Sequence, residues 1–156
     1  MKKYLFMGIL TIFLTFFSFD AFCDNKDAGF GIILGEPTGF SGKVWWDNNV
    51  AFDGGVAWSF RNDSKLSLHS DVLWHNWSVL QKAFEIDKGK FPLYYGLGCR
   101  IKTDNDTRAG LRIVAGASYM FDNAPFDVFF EVAPIMDFAP ETKADFNASF
   151  GVRIWF

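Results

Sequence analysis

The chain has 156 residues, half of them hydrophobic, 20 of them Phe and 6 Trp, and a formal net charge of -3, a size that fits one domain. Its 15 Lys plus Arg against 18 Asp plus Glu make no basic field for phosphate, which argues against nucleic-acid binding. Two cysteines exclude a disulfide framework or a cysteine metal cluster.

Lys2 and Lys3 precede an apolar run from Tyr4 to Phe19, and Ala21-Phe22-Cys23 supplies small residues at the -3 and -1 positions of a cleavage site. This pattern predicts a helical secretory signal peptide over 1–23 and a mature domain over 24–156. A membrane anchor is the alternative, but it needs about 20 apolar residues, and this run is shorter and is followed by Asp20 and Asp24. Lipidation of Cys23 is a second alternative, against which the bulky Phe22 argues.

From Ala28 onward no stretch sustains a helical period. Alternating runs recur between clusters of Asp, Asn, Gly and Pro, which favour turns through positive φ or side-chain capping. The clusters fall at 35–39, 47–49, 61–64, 104–106, 122–125 and 139–143. They predict strands over about Ala28 to Leu34 and Phe40 to Trp46, then a run in which Val50, Phe52, Val56, Trp58 and Phe60 oppose Asp53, Gly55 and Ser59. Next, Leu66, Leu68, Val72 and Trp74 oppose Lys65, Ser67, His69, Asp71 and His75. A connection between Leu80 and Gly89 is poorly marked, because Ala83, Phe84 and Ile86 extend either neighbour equally well. Leu93, Tyr95, Leu97, Cys99 and Ile101 then oppose Tyr94, Gly96, Gly98, Arg100 and Lys102, and Leu111, Ile113, Ala115 and Tyr119 oppose Arg112, Gly116 and Ser118. Phe126, Val128, Phe130 and Val132 oppose Asp127, Phe129 and Glu131. Finally Phe146, Ala148, Phe150, Val152, Ile154 and Phe156 oppose Asp145, Asn147, Ser149, Gly151 and Arg153. An all-β fold of about eight antiparallel strands closed up-and-down into a barrel follows.

Alternation alone leaves open which face is inside, since a soluble lipocalin-like barrel would turn the apolar face inward. The polar face mixes glycines with single charges, as a cramped lumen requires. Outward aromatics gather at strand ends, with Trp46, Trp74, Phe91, Tyr119, Phe121, Phe126 and Phe156 at one rim and Trp58 and Phe60 at the other, the two girdles of a transmembrane barrel. Lys43, Asp53, His69, Asp71, Arg100, Arg112, Asp127, Glu131, Asp145 and Arg153 would then form a lumenal polar network with Lys65, and buried charges persist there only if paired. Pairing of the last two strands places Asp127 and Glu131 across or diagonal to Arg153. All connections are expected to be short, and both ends of the barrel lie on the periplasmic side.

The segments 29–43 (GFGIILGEPTGFSGK), 73–77 (LWHNW), 91–98 (FPLYYGLG) and 151–156 (GVRIWF) together resemble a group of small bacterial outer-membrane β-barrel proteins. That resemblance implies an outer-membrane location and a lipid partner, and it supplies no catalytic residues to carry over. The ending in Val152, Ile154 and Phe156 resembles the C-terminal signature read by bacterial barrel-assembly machinery. The expected protein is a monomer with a structural, membrane-integrity or surface-interaction role, without a cofactor or metal. A lipid A-modifying hydrolase and a soluble ligand-binding barrel are the competing readings, and porin-like conduction is a weaker one.

Ser67, His69 and Asp71 look like a hydrolytic trio, but their shared parity points them into the lumen, away from acyl chains. His69 and His75 are about 20 Å apart along one strand face, too far to share a metal ion. Gly29, Gly31 and Gly35 lack the following helix that a dinucleotide fingerprint needs. Cys99 falls on the apolar face, where it behaves as a small hydrophobe.

Overall fold

A computed structural model of the chain describes residues 27–36, 38–59, 65–103 and 107–156. The predicted signal peptide, Cys23, Phe60 and the turns at 61–64 and 104–106 lie outside those residues. The strands are β1 (Ala28–Glu36), β2 (Thr38–Trp45), β3 (Val50–Ser59), β4 (Lys65–Asn76), β5 (Leu93–Thr103), β6 (Thr107–Met120), β7 (Phe126–Ala139) and β8 (Lys143–Trp155). Each pairs antiparallel with its sequence neighbour, and β1 pairs with β8 from Gly29↔Trp155 to Glu36↔Ala148, which closes the barrel. Closure leaves no edge strand with unpaired backbone groups.

Side-chain parity follows the period of two throughout. In β8, Phe146, Phe150 and Ile154 are exposed while Asn147, Ser149, Gly151, Arg153 and Trp155 are buried. The same division holds in β5, β6 and β7, so the aliphatic and aromatic face points outward and the charged face inward. Leu111 at 62%, Ile113 at 58% and Phe130 at 55% exposure sit in the middle of this outer belt, whereas Arg100, Arg153 and Asp127 are at most 2% exposed. The arrangement inverts that of a soluble barrel, and the inward-facing Phe of the lipocalin-like alternative is not present on β8.

The first turn is tighter than the sequence suggests. β1 runs on through Gly35 and Glu36, and β2 starts at Thr38 rather than Phe40. Gly35 adopts φ +138, which only a residue without Cβ takes up freely, and the Thr38 hydroxyl donates to the Gly35 carbonyl at 2.9 Å. The strands therefore extend to Glu36 on one side and Thr38 on the other.

The expectation that all connections are short fails between β4 and β5. Ala83, Phe84 and Ile86 extend neither strand. The connection runs from 77 to 92 and contains one short helix, α1 (Val79–Ala83). The Asn76 side chain accepts from the Ser78 and Val79 amides, which turns the chain out of β4. The Gln81 side chain then donates to the Ile86 and Gly89 carbonyls and accepts from the Phe91 amide, so side-chain bonds hold what no ladder holds. A five-residue helix shows no repeated hydrophobic period, which is why the sequence gives no sign of it.

Candidate functional site

Inward parity gathers charges from seven strands, β2 to β8, into the lumen, and closure brings together residues far apart in the chain. Arg153 on β8 is the centre. It donates to Asp53 at 2.6 Å, lies 3.3 Å from its ladder partner Asp127, and stacks its guanidinium 4.0 Å over the Phe129 ring. Arg112 on β6 pairs with Glu131 on β7, and its Nε lies 3.0 Å from Asp71 on β4, within ion-pair range but not aligned as a hydrogen bond. Nearer the end distant from the termini, Arg100 binds Asp137 at 2.7 Å and Asp145 at 2.9 Å, and Lys102 adds a contact to Asp145 at 3.5 Å. Lys43 Nζ donates to His75 Nε2 at 2.7 Å and sits 4.6 Å over the Tyr94 ring. The buried set balances closely, with Asp53, Asp71, Asp127, Glu131 and Asp137 against Lys43, Arg100, Arg112 and Arg153. Paired in this way, the charges can stay in a lumen that offers little water.

The network differs in detail from the sequence expectation. Asp127 does face Arg153, but Glu131 faces Ser149 and bonds instead to Arg112 and to the Tyr94 hydroxyl. Asp137 and Tyr94 belong to the network, although sequence reasoning placed neither there. Asp137 lies just before an irregularity in the β6–β7 ladder, where Ala109 faces Ala139 and Gly110 faces Asp137. A ladder irregularity cannot be read from one strand alone. The Lys65 side chain lies outside the described residues.

Ser67, His69 and Asp71 all point inward, as their parity predicts, and the Ser67 hydroxyl is buried with no hydrogen-bond partner. Without a base on its hydroxyl, Ser67 is not arranged as an activated nucleophile. Asp53, His69 and Asp71 do bring ligand-type atoms within 4.8 Å of one another. The two carboxylates there already lie against Arg153 and Arg112, cations that oppose a metal ion in the same space.

At the end of the barrel that carries its first and last strand residues, the lumen opens into a vestibule. Trp45 and Trp155 come from the ends of β2 and β8, and Trp77 comes from the β4–β5 connection. Trp45 stacks on Trp77 at 5.5 Å and on Trp155 at 6.0 Å, forming a row of three indoles. His75 packs beneath at 4.4 Å from the Trp45 ring, and Trp77 Nε1 donates to the Asn48 carbonyl at 2.9 Å. Asp27, Asp47, Asp122 and Lys90 stand around a cavity of about 740 Å³. Sequence reasoning missed this site, because three tryptophans at 45, 77 and 155 meet only once the barrel closes. Phe84, Phe91, Tyr119, Phe121 and Phe126 form a continuous row of ring contacts along the same rim, and the last two also line the cavity.

With that geometry in place, comparison with known proteins adds one finding. The chain is similar to the crystal structure of the N-terminal β-barrel domain of Pseudomonas aeruginosa OprF. The TM-score is 0.63 at 13% sequence identity, over 85% of this chain and 98% of that one. The likeness is one of fold. No family model matches the sequence, and no curated protein does.

Proposed function

We propose that the chain is a bacterial outer-membrane β-barrel, exported by a signal peptide over 1–23 that leaves a mature domain over 24–156. Its role is structural or surface-interacting and not catalytic. One observation carries this reading: the charged residues are packed inside the cylinder and the large apolar ones ring its outside. Moving a Leu, Ile or Phe side chain from hydrocarbon into water costs about 1.5–3 kcal/mol, so a belt of them fits lipid better than water. Its height fits as well. The outward positions from Ala144 to Ile154 on β8 span about 34 Å along the strand, or about 26 Å at a tilt of roughly 40°, close to the ~25 Å apolar band of such barrels. The likeness of fold to the OprF barrel domain favours the same location.

Outer-membrane lipid is then the partner of the belt. The alternation of Val152, Ile154 and Phe156 is the segment offered to barrel-assembly machinery, and the barrel works as a monomer. The paired lumenal charges favour a plugged cylinder over a porin-like one, and Ser67 on the lumenal face disfavours a lipid A hydrolase.

Membrane fractionation tests the reading. The protein should pellet with outer membrane, leave it only with detergent, and run at different positions on a gel before and after boiling. Recovery in the water-soluble periplasmic fraction would overturn it. Comparison of lipid A from cells with and without the protein separates the hydrolase alternative, which requires a change in acylation.

A further inference from the structure

The vestibule at the terminal end of the barrel has the make-up of a ligand site, and we infer that it binds a saccharide. The inference rests on the barrel geometry and stands apart from the reading of the outer belt. Four properties of the wall decide the ligand class. Its volume of about 740 Å³ falls in the ~300–1,000 Å³ range of small-molecule sites, room for more than one sugar ring. Of the four tryptophans that line it, Trp45, Trp77 and Trp155 are held before any ligand arrives, by their mutual stacking, by His75 beneath and by the Trp77 bonds to the 48–49 turn. A preorganised wall spends little binding free energy on ordering.

The third property is an orphan donor. Trp155 is 8% exposed, and its Nε1 hydrogen has no acceptor, whereas buried indole N–H groups ordinarily find one. A ligand that carries an acceptor to this edge of the ring would satisfy it. The fourth is charge. Among the described residues, Asp27, Asp47 and Asp122 line the cavity against Lys90, which disfavours an anion. A cation is disfavoured because Lys90 already lies 5.7 Å over the Trp77 ring and Lys43 5.3 Å over the Trp45 ring, and because a cation offers the Trp155 N–H no acceptor. A wholly apolar ligand would leave both the carboxylates and the indole N–H unmet. A neutral molecule with apolar ring faces and hydroxyls that both donate and accept meets all four conditions, and a sugar ring is that molecule. Two sources supply this chemistry: N-acetylated glycan of the cell wall and a soluble oligosaccharide.

The test titrates the mature chain, folded in a polyoxyethylene detergent that contains no sugar, while tryptophan emission is followed. The probes are N,N′-diacetylchitobiose, maltotriose and tetramethylammonium chloride. A saturable emission change is expected with a sugar and none with tetramethylammonium. A response to diacetylchitobiose alone points to the cell-wall source, and a response to maltotriose, alone or with the other, to a soluble oligosaccharide. Trp155→Phe keeps the ring and removes the donor, so affinity should fall about three- to tenfold. Trp77→Ala, outside the strands, should abolish the response while the heat-shifted gel mobility stays that of the parent, which shows that the barrel is intact. Absence of a saturable change with either sugar overturns the proposal. So does unchanged affinity in both variants, or a response to tetramethylammonium alone.

Discussion

At the scale of single residues, the lumen is governed by pairing. Arg153 neutralises Asp53 and Asp127 in a space with almost no exposure. Removing one partner of such a group leaves uncompensated charge, at a cost of about 3–5 kcal/mol. Arg153→Ala should lower stability by that amount in urea unfolding of the lipid-inserted protein. Arg153→Met combined with Asp53→Leu and Asp127→Leu should recover most of the loss, and failure of that rescue would mean that Arg153 acts chiefly through its stacking on Phe129. Glu131→Ala strips Arg112 and Tyr94 of a partner and should lower the melting temperature while insertion proceeds, so an unchanged melt in detergent would refute its structural role. Gly31 is limited by space. A Cβ there would strike the Val152 carbonyl and Arg153 on the neighbouring strand, so Gly31→Val should prevent closure of β1 onto β8 and abolish the heat-shifted band.

At the scale of elements, each strand carries its own two-faced pattern, and that pattern was legible without any neighbour. The inward placement of Asp145, Arg153 and Glu131 and the outward placement of Phe150 and Leu97 follow from backbone geometry that repeats every two residues. The belt makes a prediction at this scale. Ile113→Arg places a cation at mid-belt, and in a membrane barrel it should cost about 2–4 kcal/mol in lipid, read as a shift in the unfolding midpoint. A barrel facing water would tolerate the change. The β4–β5 connection was not legible, since α1 is short and side chains such as Gln81 hold it rather than a period. Its backbone joins the barrel over 88–92, through the Lys90–Met120 bridge, the Pro92 carbonyl, which accepts from Ser118, the Gly89 amide, which donates to Asp122, and the Lys88 carbonyl, which accepts from the Tyr119 hydroxyl. Replacement of 79–86 by a short glycine–asparagine linker should therefore leave the heat-shifted mobility of the barrel unchanged.

At the scale of the whole molecule, closure of eight strands converts eight separate polar faces into one interior. The ion pairs of Arg100, Arg112 and Arg153 with partners on other strands cross that interior at successive levels, so planar-bilayer recordings should show no steady open-channel steps, and regular conductance steps would refute a plugged lumen. Length, composition and the period of two by themselves determined that this is a closed antiparallel barrel with its charges on one face, because strand parity is a local property of the backbone. Only the tertiary structure decided which charge meets which and that Asp137 and Tyr94 join them. It also decided that Trp45, Trp77 and Trp155 converge on one vestibule. Those facts depend on register and closure, which bring together residues more than a hundred positions apart and leave no trace in the spacing along any one strand.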